Sequence, residues 1–174
     1  MRNVRTSTTR FAVIAGAIAA SVTMTGLQPA RAESPKTKAE IQATFDKAAK
    51  FLDNKDLDSL SKMTDPGATF TILNGKPITF EQWKIMTKKM FADMLESHSK
   101  IKVVAISDKG GEVVADVIET SRYEMASDKG HKYDELDKGK ITVKKTADAW
   151  ISTKFVFTSS KTTRDGKPLT PKVK

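Results

Sequence analysis

The sequence of 174 residues contains no cysteine, which excludes thiol catalysis, disulfide bonds and cysteine-ligated zinc sites. Histidine is almost as scarce, because His98 and His131 are the only two and lie far apart in the chain. The sequence also lacks a glycine-rich phosphate loop and a nucleophile elbow. We therefore expect a protein without a metal centre and without a bound cofactor.

The first 32 residues have the three parts of a bacterial secretory signal peptide. Residues 2–10 carry three arginines and no acid, residues 11–27 are apolar or small, and residues 30–32 read Ala-Arg-Ala. A membrane anchor is the weaker interpretation, because a spanning helix needs about 20 mainly apolar residues. We expect cleavage after Ala32 and export to the periplasm or the cell exterior, without a stable membrane anchor.

The basic character of the chain belongs partly to this segment. Its four arginines account for four of the nine net positive charges. The remaining lysines are scattered among acids, whereas nucleic-acid binding requires a clustered basic stripe with interleaved aromatics. Nucleic acid is therefore not an expected partner. Residues 163–174 are basic and contain proline, and we predict that they form a flexible tail, a candidate for contact with an anionic surface.

Residue periodicity predicts helices first and strands later. The predicted helices cover residues 37–53, 56–63 and 79–94, and the predicted strands cover 68–73, 100–107, 112–125, 138–152 and 154–161. Capping boxes at Thr37–Glu40 and Thr79–Gln82 mark two helix starts. Consecutive strands without intervening helices favour an antiparallel sheet. We predict one α+β domain over residues 33–162, cone-shaped, with about three helices on the concave face of a strongly curved antiparallel sheet.

Three short segments resemble the nuclear transport factor 2-like (SnoaL-like) superfamily. Residues 55–60 (KDLDSL) and 65–70 (DPGATF) are similar to the run that opens many of its domains, and residues 146–150 (TADAW) resemble a motif of a late strand. The resemblance implies a conical fold with an apolar pocket, often dimeric through the sheet. Members include ketosteroid isomerases, polyketide cyclases and dehydratases.

Ketosteroid isomerases provide a test of activity. The resemblance puts their catalytic base at Ile72 and an oxyanion-hole tyrosine at Ala48, while a second oxyanion donor has a counterpart at Asp148. Neither isoleucine nor alanine can move a proton or donate a hydrogen bond to the developing enolate. We therefore predict that the protein has no ketosteroid isomerase activity.

The pocket candidates follow from the predicted strands and helices. Asp148 and Trp150 are two residues apart, so on one strand their side chains would face the same way. We predict a pocket with Asp148 as polar anchor and Trp150, Trp83, Phe70 and Tyr123 as aromatic neighbours. In the alternative interpretation, Asp148 satisfies a nearby backbone or basic group, and Trp150 packs in the core or in a dimer interface.

Three functions stay open on this basis. We favour an exported domain that binds a small, partly apolar molecule between the third helix and the sheet. A cofactor-independent lyase or isomerase would use Asp148 with Tyr123 or His98, and further candidates of the same residue types are Asp116 and Tyr133. A dimeric interaction module without a ligand would instead have a filled core and an exposed apolar sheet face.

Overall fold

The computed structural model describes residues 34–169 except Asn74 and Asp148. The helices are α1 (Pro35–Asp53), α2 (Leu57–Lys62) and α3 (Phe80–Asp93). The strands are β1 (Thr64–Ile72), β2 (Ile78–Thr79), β3 (Met94–Asp108), β4 (Glu112–Met125), β5 (Lys132–Lys145), β6 (Trp150–Arg164) and β7 (Lys167–Pro168). The predicted signal peptide lies outside the described residues. Within the described part of the chain, no helix is long and apolar enough to cross a membrane.

The strands form one seven-stranded sheet in the order β2-β1-β6-β5-β4-β3, with β7 paired to β6. The predicted α+β class is confirmed, but the sheet is mixed, because β1 runs parallel to β6. The strands from β3 to β6 are joined by short turns and are antiparallel as predicted. The direction of β1 is not set by a turn, since β1 meets β6 only through long-range pairing.

Irregularities in strand pairing give the sheet its curvature. The register shifts between Val103 and Ala105 in the β3–β4 pair, and between Lys138 and Gly139 in the β5–β6 pair. Such bulges bend a strand and increase its local twist. A methyl group at position 139 would lie 2.5 Å from the carbonyl oxygen of Val156, so only glycine allows this close approach of β5 and β6.

Helix α1 begins earlier than the sequence predicted. Pro35 is its first residue and Ser34 its N-cap without a side-chain hydrogen bond, so the predicted capping box at Thr37–Glu40 is wrong. Proline suits the first helical position because its missing N–H has no partner there. The capping box of α3 is confirmed: the Gln82 backbone N–H donates to Thr79 Oγ1 at 3.2 Å, and the Thr79 N–H donates to Gln82 Oε1 at 2.9 Å.

The last strands differ most from the prediction. The chain turns between Lys145 and Trp150, where the sequence predicted one continuous strand. The Thr146 backbone N–H donates to the Ala149 carbonyl at 2.8 Å across this turn. Residues 163–168 belong to the sheet rather than to the predicted tail, because Asp165 and Gly166 turn β6 into β7 with φ of 51° and 75°. An Asp-Gly pair with two positive φ values is typical of a tight hairpin turn.

The main core lies between α1 and the adjacent part of the concave face. Its buried side chains are Ile41, Phe45 and Ala49 of α1 with Ile101, Val103, Val113, Ala115, Val117, Ile141 and Val143 of the sheet. The apolar positions of α1 recur at helical spacing, whereas those of β4 alternate, so both elements turn one apolar face inward. This packing holds α1 over one end of the sheet and leaves the other end to α3.

Candidate functional site

A cavity of about 690 Å³ lies between the helices and the concave face of the sheet. Its apolar walls include Phe45, Ala48 and Leu52 of α1, Leu60 of α2, Trp83, Met86, Met90 and Phe91 of α3, Phe70 and Ile72 of β1, and Phe155 and Phe157 of β6. This volume is in the range of small-molecule pockets, which are about 300–1,000 Å³. The cavity is thus large enough for a molecule with several rings.

Stacked aromatic rings form one wall of the cavity. The Phe70 ring stacks on Trp83 with 4.8 Å between centroids and on Phe155 with 4.3 Å. Phe80 extends the stack, since its ring lies 5.8 Å from that of Trp83. Phe70 and Phe80 are buried, so the rings are held by their neighbours and offer a pre-formed apolar surface.

The sheet floor of the cavity carries polar groups on two neighbouring strands. Glu119 and Ser121 of β4 face Asp137 and Glu135 of β5 in direct cross-strand pairs. The hydroxyl groups of Ser97, Ser99, Ser160 and Tyr123 line the same region. Residues two apart on a strand share a face, so the pairing brings three carboxyl groups together on the inner surface. We call Glu119, Glu135 and Asp137 the carboxyl cluster.

Burial favours the neutral forms of Glu119 and Asp137. Burial, together with the negative charges of Asp137 and Glu135, raises the pKa of Glu119 to about 8. The Glu119 side chain is surrounded by protein, although part of it is accessible from the cavity. Burial also raises the pKa of Asp137, against the opposing effect of a hydrogen bond with Ser160. Oδ1 of Asp137 is buried without a hydrogen bond to any described residue.

The side chains of Phe70, Trp83 and Tyr123, which the sequence assigned to the pocket, line the cavity. Asp148 lies outside the described residues. Trp150 is not among the lining residues, because its Nε1 donates to Glu40 Oε2 at 3.1 Å beside α1. The prediction that residues 148 and 150 share a strand face required one continuous strand, which the turn after Lys145 interrupts.

The other sequence candidates do not reach the cavity. His98 is exposed on β3 and faces away from it, since Ser97 and Ser99 on either side face inward. Asp116 forms an exposed ion pair with Lys140 on the outer face. Tyr133 is buried behind Tyr123, with 5.2 Å between ring centroids, and its hydroxyl group donates to Asp128. These positions correct the earlier grouping of His98, Asp116 and Tyr133 with a pocket.

Sequence reasoning missed the carboxyl cluster, although a signal for Glu119 exists. The inward positions of β4 continue in steps of two from Val117 through Glu119 to Tyr123. An acid within a buried alternating stripe is a marker of a functional or strained position. Glu135 and Asp137 carried no such signal, because strand β5 was predicted to begin only at residue 138.

No protein-family model and no curated protein sequence matches this chain. Several solved structures share its architecture. The Kfla4162 protein from Kribbella flavida is 17% identical, with 72% of this chain and 92% of that chain covered and a TM-score of 0.61. A conserved protein from Planctomyces limnophilus is 8% identical, with 70% and 94% covered and a TM-score of 0.62.

A third relative in structure is the hexachlorocyclohexane dehydrochlorinase LinA type 2, which is 9% identical, with 79% of this chain and 96% of that chain covered and a TM-score of 0.60. The chain has the nuclear transport factor 2-like fold. Domains with this fold serve different chemistries, so the function of this domain has to be inferred from the residues of its cavity.

Proposed function

We propose that this domain binds a small, largely apolar molecule in the cavity, with the polar end of the molecule at the carboxyl cluster. The observation that carries the proposal is a volume of about 690 Å³ with apolar walls and polar groups gathered on one side. Binding sites for small molecules typically combine apolar walls with a few convergent polar groups. The stack of Phe70 and Trp83 favours a flat ring system as the apolar part.

The cavity argues against an interaction module without a ligand, for which we expected a filled interior. The predicted export and the dimer contact through the sheet remain part of the proposal. Residues 1–32 have the pattern of a signal peptide, which supports export to the periplasm or the cell exterior. N-terminal sequencing of protein from its own host would test cleavage after Ala32.

A binding experiment tests the proposal directly. N-phenyl-1-naphthylamine is a neutral, apolar probe at pH 7 whose fluorescence increases when it leaves water. We expect it to bind the purified protein and to quench the emission of Trp83, which lines the cavity. A variant Trp150→Phe removes the second tryptophan, which lies outside the cavity.

Two matched variants of α1 distinguish cavity binding from surface binding. Ala48 lines the cavity, whereas Ala43 is exposed on the same helix. Ala48→Phe should weaken binding of the probe by about tenfold or more, because the added ring occupies the cavity. Ala43→Phe should leave binding unchanged. Equal affinities of the two variants, or a wild-type protein that does not bind the probe, would contradict the proposal.

A second candidate function is a cofactor-independent lyase or isomerase in which Glu119 exchanges a proton with the bound molecule. The specific support is the pKa of Glu119, about 8, which suits a general acid or base near neutral pH. A hexachlorocyclohexane dehydrochlorinase shares the fold. Hexachlorocyclohexane is therefore a first substrate to test by chloride release, which Glu119→Gln should abolish while binding of the apolar probe persists.

A further inference from the structure

The polar side of the cavity is acidic, although the chain as a whole is basic. The sequence has 30 lysines and arginines against 21 aspartates and glutamates. Several acids elsewhere in the fold have basic partners: Asp65 pairs with Lys144, Asp128 with Arg164, and Glu40 with Lys145. Glu119 and Asp137 of the carboxyl cluster form no such ion pair with a described residue.

Glu119 has no basic partner among the described residues. It is enclosed by protein, and the groups that act on its carboxyl are the like-charged Asp137 and Glu135, with no cation among them. It makes no hydrogen bond or ion pair with any described residue. Lys89 is the one basic side chain among the described lining residues, and it is exposed at the α3 side of the cavity. Among the residues that the structure describes, none thus supplies a positive charge where Glu119 and Asp137 meet.

Enclosed acids that face each other without a counter-charge are costly, because burial and repulsion both act against their ionised forms. A positive charge between them would offset the cost of burial and replace repulsion by attraction. The hydroxyl groups of Ser121 and Ser160 lie on the same face and can accept further N–H groups. In the described part of the chain, no group of acids and histidines is arranged to hold a metal ion.

We infer that the ligand is an organic amine, with its ammonium group between Glu119 and Asp137 and its apolar body along Phe70 and Trp83. This inference rests on the proposed function, ligand binding in the cavity. It adds the chemical class of the ligand. An ammonium group can donate up to three hydrogen bonds, which matches two carboxylates and a hydroxyl group.

Three probes that differ only in their polar group test the inference. They are 1-naphthylmethylamine, 1-naphthylmethanol and 1-naphthoic acid, and each is titrated against bound N-phenyl-1-naphthylamine at pH 7.5. We expect the amine to bind about tenfold more tightly than the alcohol, because only the amine neutralises the cluster. The acid should bind most weakly, since it adds another negative charge.

Variants of the carboxyl cluster test whether its residues cause the preference for the amine over the alcohol. Glu119→Gln and Asp137→Asn retain the side-chain shape and should each reduce the preference for the amine to about threefold or less, with little change for the alcohol. Asp116→Asn is the matched control, because Asp116 is an exposed acid on the outer face of β4. It should leave the preference unchanged.

A measurement on the wild-type protein covers the case in which a cluster variant does not fold. The trimethylammonium derivative of 1-naphthylmethylamine carries a fixed charge, so a change of its affinity with pH reports on the protein. The titratable groups that share the cavity with Glu119 are Glu135, Asp137, Tyr123, Asp93 and Lys89. Affinity for this probe should rise between pH 6 and pH 8.5 as the cluster ionises, whereas affinity for the alcohol should stay constant.

The outcomes distinguish a failure of the amine inference from a failure of the proposed ligand binding. If amine and alcohol bind equally well and neither affinity varies with pH, the amine inference is overturned and ligand binding stands. If none of the probes binds, including N-phenyl-1-naphthylamine, the proposed function itself fails.

Discussion

Glu119 of β4 and Asp137 of β5 are directly opposed in the register of the sheet, and both line the cavity. Burial raises the pKa of each carboxyl, to about 8 for Glu119. In the unfolded chain the two groups are solvated and titrate as ordinary acids. The pair therefore makes the folding equilibrium depend on pH between about pH 5 and pH 8.

We expect the free energy of unfolding to fall as pH rises from about 5 to 8. In this window the unfolded chain has lost the Glu119 proton while the folded chain still holds it, so raising the pH favours unfolding by up to about 1.4 kcal/mol per pH unit. Asp137 contributes with the same sign. Urea unfolding at several pH values and constant ionic strength measures this slope.

Glu119→Gln should flatten that dependence and raise the stability at pH 8 relative to the wild-type protein. Acids with basic partners, such as Asp65 and Asp128, have lowered pKa values, so their contributions are lost only in more acidic solution. A wild-type protein whose stability does not fall between pH 5 and 8, relative to Glu119→Gln, would contradict the description of Glu119 as an enclosed acid.

Replacing Phe70 should weaken both the fold and the cavity wall. Its ring is buried and stacks on Trp83 and Phe155, so Phe70→Ala should cost about 3 kcal/mol or more of unfolding free energy. The exposed Ile85 on α3 is the control, and Ile85→Ala should change stability by less than about 0.5 kcal/mol. Similar effects of the two substitutions would show that the aromatic stack is not formed.

Gly139 tests the close approach of β5 and β6. Gly139→Ala should destabilise the protein by about 2 kcal/mol or more, because the added methyl group meets the Val156 carbonyl and the Phe157 backbone. The neighbouring Lys138 is exposed, so Lys138→Ala should have little effect. A Gly139→Ala variant of unchanged melting temperature would argue against the bulge.

The capping box of α3 offers a local test. Thr79→Ala removes the acceptor of the Gln82 N–H and should cost about 1 kcal/mol. Thr79→Ser keeps the hydroxyl group and should retain most of the stability. If alanine and serine were equally tolerated in thermal unfolding, the cap would have no role in holding α3 above the cavity.

The absence of ketosteroid isomerase activity stays a prediction, and the cavity supplies its physical basis. Ala48 and Ile72 both line the cavity, and neither side chain can exchange a proton. We expect no isomerisation of a 3-keto-5-ene steroid, followed by ultraviolet absorbance. Rapid turnover of this steroid would contradict the prediction, and its loss in Glu119→Gln would identify Glu119 as the base.

Several elements could be predicted because their signals are local. Strand β4 has the predicted bounds, Glu112–Met125, since its inward residues alternate and glycines precede it. The start of α3 follows from the capping box at Thr79. The start of β5 could not be predicted in this way, because the stretch Asp134–Asp137 is rich in acids and resembles a solvated loop until the rest of the fold covers it.

The sequence alone was sufficient for the order of the three helices and the five longer strands, for the α+β class and for Phe70, Trp83 and Tyr123 as pocket residues, because these depend on spacing along the chain. The pairing of β1 with β6 and the meeting of Glu119 with Asp137 depend on contacts between distant segments. The acidity of these carboxyls depends further on how completely the helices exclude water from them. Strand register and burial are properties of the assembled fold, so the polar side of the cavity became visible only with the folded structure.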